Sequence, residues 1–267
     1  MTRAPVLAAG GAILVVLAVH SLEARLWPTE HATGWLLLVV LVSLAAFGLR
    51  KKVPYLSLGS AATWCRVHLH LGLFAVVLLG AHVGVKVPNG VLEVSLAVVF
   101  AVVTVSGIAG IVLSRSFARR LTTRGQEVIW ERIPELEKRI RDEAEAIVQR
   151  SVETCQSTAI TDLYGTHIAP FLTGPSHFFA HVLGSGRPLK TVVSAIEALD
   201  RYANDAEREL SLELRQLAVM KDDLDFHWAL QSVLKGWLFV HVPATALLLL
   251  LAAVHGVVAE VFAAGLR

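Results

Sequence analysis

Apolar positions along this chain fall into two unlike patterns. The first is uninterrupted. Five windows, Ala4–Leu22, His31–Leu49, Val67–Val85, Val94–Ser114 and Gly236–Ala259, contain no Asp, Glu, Lys or Arg. Each is long enough to cross a hydrocarbon core of roughly 30 Å as a helix rising about 1.5 Å per residue. The second pattern is periodic. Between the fourth and fifth windows, Ile129, Ile133, Leu136, Ile140 and Ile147 recur at helical steps, with one longer gap across Ala144. A further stripe runs Val192, Ile196, Leu199, Ala203, Leu210, Leu214 and Leu217, opened by the turn Gly184-Ser185-Gly186-Arg187-Pro188. Residues 160–187 separate the stripes and read as a folded-back connection, with Pro170, Gly174, Pro175 and several aromatics.

Composition sharpens the contrast. Of 267 residues, 55% are hydrophobic and 17% charged, against about 45–50% and 25% in soluble domains. Residues 115–235 hold 16 basic and 18 acidic side chains, while the whole chain has 24 Lys/Arg and 22 Asp/Glu. The pattern predicts an all-α fold, a polytopic membrane helical bundle with five transmembrane spans. Residues 1–114 then carry spans one to four, 115–233 form a cytoplasmic helical-hairpin insert, and 234–267 carry span five and a short C-terminus. A soluble enzyme or a secreted disulfide scaffold does not fit this distribution. A net charge of +2 gives no footing for nucleic acid. The first window shares features with a signal peptide, namely Arg3 and the run Ser21-Leu22-Glu23-Ala24, but its apolar stretch is long for one and a retained span is expected.

Basic residues near span ends predict orientation. Arg50, Lys51, Lys52 and Arg66 follow the second span without an acid, and Arg115, Arg119, Arg120 and Arg124 follow the fourth. With five spans, both groups fall on one side. The N-terminus and insert are then cytoplasmic, the C-terminus lies outside, and the third and fifth spans run parallel. Cys65 and Cys155 fall on the cytoplasmic side as free thiols.

Histidines supply the candidate chemistry. Ionisable side chains inside a membrane are rare and point to function. His68 and His82 are 14 residues apart on the third span, and His241 and His255 are 14 apart on the fifth. Fourteen helical residues rise about 21 Å and return to within about 40° of the starting face. Each helix thus offers two imidazoles on one stripe, and parallel spans bring His68 to the depth of His241 and His82 to that of His255. Two imidazoles from facing helices suit a haem iron with both axial positions filled, so two non-covalent haems b are expected. Gly72, Gly80, Gly84, Gly107, Gly110 and Gly256 would let a flat macrocycle approach, or serve ordinary helix packing. Arg66 and Lys235 could pair with propionates on the cytoplasmic side and Lys86 outside, or simply set topology. No Cys-x-x-Cys-His is present for covalent haem attachment, and the only methionines are Met1 and Met220.

His70 points away from His68 and is expected to hydrogen-bond rather than ligate. His20 could serve a quinone pocket or cap a span. His167, His177, His181 and His227 lie in the insert and are expected to be solvated. Glu93 and Glu260 outside, and Asp223 and Asp225 inside, are candidate proton acceptors for a quinone. The alternatives are a non-redox sensor or scaffold with a cytoplasmic docking hairpin, and a divalent-metal transporter that uses the intramembrane histidines.

The pattern His68-x13-His82 with His241-x13-His255 resembles the bis-histidyl b-type membrane cytochromes, both the respiratory and photosynthetic cytochrome b family and the ferric-reductase-like haem proteins. The stretch Leu234–Pro243 is similar to a haem-binding helix of small bacterial b-type cytochromes that work with separate redox subunits. The resemblance covers the third to fifth spans. It implies the pairs His68/His241 and His82/His255, and an electron path between a quinone or protein donor and a partner such as a c-type cytochrome or iron–sulfur protein. It also implies a bacterial inner-membrane location. The Pro-Glu-Trp-Tyr motif of quinol oxidation is absent, as is a Gly-x-Gly-x-x-Gly after a strand, so no attached flavin or nicotinamide domain is expected.

Overall fold

The apolar windows and periodic stripes fold as helices throughout the described residues, which in this computed structural model are 29–48, 60–84, 86–124, 128–155 and 158–265. Helix α1 is Thr29–Ala46, α2 is Ala61–Val83 and α3 is Val91–Leu121. A 3-10 turn, Trp130–Arg132, leads into α4, Ile133–Cys155. Then come α5, Ala159–Leu163, a π turn over Tyr164–Ile168, α6, Ala169–Leu172, α7, Phe178–Leu183, α8, Arg187–Asp200, and the 61-residue α9, Asp205–Gly265. Among the described residues, three stretches are long and apolar enough to cross a membrane: Ala62–Val83, Val91–Leu121 and Asp205–Ala263. The apolar part of α1, Glu30–Ala46, is shorter. The first expected span, Ala4–Leu22, and His20 within it lie outside the described residues, as do Arg50, Lys51 and Lys52.

The chain divides into two compact units, one made of residues up to Ala109 together with those from Leu238 onward, the other Gly110–Trp237. In the first unit, Ser60 caps α2 by accepting from the Thr63 amide at 3.2 Å. Leu37, Val40 and Leu41 of α1, Ala75 and Leu78 of α2, Phe100 of α3 and Leu248 of α9 form its core. Outward faces stay apolar: Val39, Leu73, Val98, Val105, Leu250, Val257 and Val261 are all exposed. A core this thin under a surface this greasy is what a chain bathed in lipid requires, because lipid solvates those faces and water does not.

The second unit has an ordinary aqueous pattern. Ile133, Ile140, Ala144 and Ile147 of α4 pack on Val192 and Ile196 of α8 and on Leu210, Leu214 and Leu217 of α9. Ala144 closes the gap in the expected stripe. Two positions differ from expectation. Ile129 is exposed, and Leu136 is only partly buried because Glu137 turns inward toward Lys221. The second stripe is also two helices rather than one. Asn204 and Glu207 bond each other's backbone amides reciprocally at 2.8 and 2.9 Å, a capping box that starts α9 after α8 has ended.

Candidate cofactor site

Two histidines of α2 and two of α9 meet in the first unit. The ring centroids of His82 and His255 lie 6.5 Å apart, with the ring planes perpendicular at 89°. His68 lies close enough to His241 for the charge of one to act on the other. The pairs occur in the same order along both helices, so α2 and the C-terminal part of α9 run parallel. Ala75 and Leu248, at the same offset midway between the pairs, are buried in one apolar cluster. All four imidazoles are half-buried.

Neighbouring helices hold two of these rings. Thr33 Oγ1 of α1 lies 3.1 Å from His82 Nδ1. Ser106 Oγ of α3 lies 2.7 Å from His241 Nδ1. The next residue in each case is a glycine against the same ring: a Cβ on Gly34 would stand 3.0 Å from His82 Cε1, and one on Gly107 would stand 3.6 Å from His241 Cε1. His68 differs. It packs on Phe47 with centroids 5.1 Å apart, and its Nδ1 is buried without a hydrogen-bond partner. The Leu44 carbonyl of α1 hydrogen-bonds the same imidazole.

Two imidazoles on one metal, with metal–nitrogen bonds of about 2.0–2.1 Å, place their ring centroids about 6 Å apart. His82 and His255 have that separation. Among the described residues no three His, Cys, Asp or Glu side chains converge on a metal position. His82 and His255 come from two different helices, α2 and α9. At Gly72, Gly80 and Gly256 an added Cβ would meet nothing within 4 Å.

Protein-family models, curated proteins and solved structures give no match to this chain. The case for the site rests on its geometry.

The remaining candidates are spread out. His70 Nδ1 bonds the Arg66 carbonyl at 2.6 Å, within its own helix. Arg66 is exposed and reaches the Ala62 carbonyl and Thr63 hydroxyl. Lys235 belongs to the second unit, where it bonds Glu131 at 3.0 Å and sits over the Trp130 ring. Glu260 accepts from Trp35 Nε1 at 3.0 Å and lies 3.6 Å from His31 Nε2. Glu93 accepts from the Asn89 amide. Lys86 is paired with Glu30 at 2.5 Å, and this lysine holds the carboxylate below its ordinary range. Cys65 and Cys155 are free thiols.

The insert histidines correct an expectation. His181 and His227 are not solvated but almost wholly buried, each at 1% exposure. His227 Nε2 lies 3.0 Å from the Arg124 carbonyl. His181 sits 3.7 Å from the buried Asp222, with neither ring nitrogen hydrogen-bonded, and burial pushes it below the usual histidine range despite that carboxylate. Asp222 and Asp223 both pair with Arg124. Next to them Lys221, itself fully buried, bonds Asp225 at 2.6 Å and the Gly174 carbonyl at 2.7 Å, and lies 3.4 Å from Glu137. Burial pushes the Glu137 carboxyl up, against the pull of Lys221. Asp225 is thus tied into a buried ion pair, not poised beside an open pocket.

Thr33, Gly34 and Ser106 are the site residues that sequence reasoning passed over. Their trace was present, as a hydroxyl followed by glycine inside an otherwise apolar helix, but which ring each would meet depends on how α1 and α3 pack.

Proposed function

We propose that the chain is a di-haem b cytochrome subunit that carries electrons across a membrane within a larger redox complex. His82 and His255 would hold one non-covalent haem, and His68 and His241 the other. The observation that carries this reading is the His82/His255 ring separation of 6.5 Å, with His68 and His241 fourteen residues away along the same two helices and within electrostatic reach of one another.

A haem with both axial positions filled supplies one-electron transfer without an open site for oxygen. The chain does the rest. α2 and α9 set the two levels about 21 Å apart through a 14-residue rise. Leu78, Phe100 and Leu248 keep the space between the levels apolar, which excludes water and lowers the cost of reorganisation when charge moves. Arg66, exposed at the end of α2 that carries His68, is the basic side chain offered to a propionate there. Glu260, with Trp35 and His31 at the His255 end of the helices, is the carboxylate offered to a quinol proton.

In this reading five spans cross a bacterial inner membrane, with the N-terminus and a helical-hairpin insert in the cytoplasm and the C-terminus outside. Electrons pass between the quinone pool or a protein donor and a partner such as a c-type cytochrome or iron–sulfur protein. The test is a pyridine haemochrome assay on the detergent-purified full chain after haem-replete expression. Two haems b per chain are expected, and a colourless protein would overturn the reading.

A further inference from the structure

The two hydroxyls beside the histidines have already used their protons. Thr33 Oγ1 donates to the Glu30 carbonyl at 3.1 Å, and Ser106 Oγ donates to the Val103 carbonyl at 3.1 Å. A hydroxyl has one proton to give. With its proton on that carbonyl, each oxygen accepts from the imidazole, the arrangement in which His82 and His241 carry a proton on Nδ1 and the lone pair on Nε2; the Glu30 carbonyl, which also bonds His82, fits the same protonation. Adjacent glycines bring the backbone of α1 and α3 against the same two rings, tightly at Gly34 and in ordinary contact at Gly107. One ring of each pair is treated in this way, from a different helix at each level. At His68 no hydroxyl bonds Nδ1; the ring packs on Phe47 and meets the Leu44 carbonyl of α1 instead.

We propose that Thr33-Gly34 and Ser106-Gly107 are sockets, each positioning one axial histidine, fixing its Nδ1–H tautomer and setting the potential of one haem independently of the other. This rests on the cytochrome reading above and adds which residues tune which site. The physics is that of outer-shell partners of metal-bound histidines in general. An acceptor on Nδ1–H increases the electron donation of Nε2, which favours the ferric over the ferrous ion, and loss of such a partner typically costs 10–100-fold in metal affinity or activity. Thr33 and Ser106 are positioning residues that act through His82 and His241.

The experiment is a potentiometric titration of the full-length, haem-loaded protein, followed by optical and low-spin ferric EPR spectra, for wild type, Thr33→Val, Thr33→Ser and Ser106→Ala. Thr33→Val keeps the side-chain volume and removes the acceptor. A tenfold loss of preference for the ferric state raises a one-electron potential by about 59 mV. The expected result is an upward shift of about that size in one haem for Thr33→Val and in the other haem for Ser106→Ala, with Thr33→Ser close to wild type. Gly34→Ala, whose Cβ would stand 3.0 Å from His82 Cε1, should alter the EPR g values of the haem that Thr33→Val shifts. Unchanged potentials in both hydroxyl variants, or shifts confined to the same haem, would overturn the sockets. Haem loss in Thr33→Val with a normal Thr33→Ser supports positioning, whereas loss in both makes Thr33 a packing residue and overturns its role. A wild type without haem fails before any variant is made and overturns the cytochrome reading itself.

Discussion

Replacing Lys221 by Met is the most informative perturbation of the helical unit that follows α3. The Lys221 ammonium is fully buried and is held by Asp225, the Gly174 carbonyl and Glu137. Met matches its length without charge. The substitution leaves the wholly buried Asp225 carboxylate with only the Ser176 amide and hydroxyl, at 3.3 and 3.1 Å. Breaking a buried ion pair from one side costs about 3–5 kcal/mol, because an uncompensated charge remains. For a unit of this size, about 2–8 °C of Tm is lost per kcal/mol, so a fall of at least about 6 °C is expected. The stacked Trp130–Trp228 pair, 5.9 Å apart within this unit, reports its unfolding by near-UV circular dichroism on the detergent-solubilised full chain. Adding Asp225→Asn to Lys221→Met removes the stranded charge and should recover more than half of the loss. A single variant that melts within about a degree of wild type, or a double variant worse than the single, would refute the view that the pair is buried and mutually dependent.

The same unit should respond to pH with two opposed slopes. Burial, resisted by Asp222, lowers His181 from its ordinary 6.5. The unfolded chain therefore takes up a proton near pH 6.5 that the folded chain refuses, and stability falls as pH drops below that value; His181→Gln should flatten this slope in urea midpoints measured from pH 7.5 to 5.5. Burial raises Glu137 above its ordinary 4.5, so its contribution is present at low pH and lost as pH rises through the folded value. Glu137→Gln should gain on wild type between pH 5 and 8 in the same assay, and a gain that shrinks with rising pH would contradict this. Lys235→Ala removes an exposed, solvent-screened pair with Glu131 and should leave the thermal melt essentially unchanged.

Much of the site was legible before any fold was known. The 14-residue spacing works from sequence because helical rise and twist are local, and parallel spans then bring His68 toward His241 and His82 toward His255. The contacts of Thr33 with His82 and of Ser106 with His241 were not legible in that way. Thr33 and Ser106 lie on helices other than those of their histidines, and a hydroxyl in an apolar helix reads equally as a bond to its own i−3 or i−4 carbonyl. The insert misled for a related reason. His181 and His227 occur in a segment rich in charge, where exposure is the ordinary outcome, yet Arg120 and Arg124 bring that segment inward through the His181 carbonyl at 2.5 Å and through Asp222. Glu137 occupied a position that periodicity assigned to Leu136, because Lys221, more than eighty residues later, supplies its counter-charge. The break at Asn204 was readable in principle from Asn204-x-x-Glu207, a pattern that starts helices.

In the proposed cytochrome, four histidines form two haem sites, paired across α2 and α9. Four single variants, His68→Ala, His241→Ala, His82→Ala and His255→Ala, can each be purified as the full chain after haem-replete expression and compared by haem content and low-temperature optical spectrum. The account predicts that His68→Ala and His241→Ala lose the same haem, and that His82→Ala and His255→Ala both lose the other. Loss of one common haem in His68→Ala and His82→Ala, or no haem lost in any of the four, would contradict it.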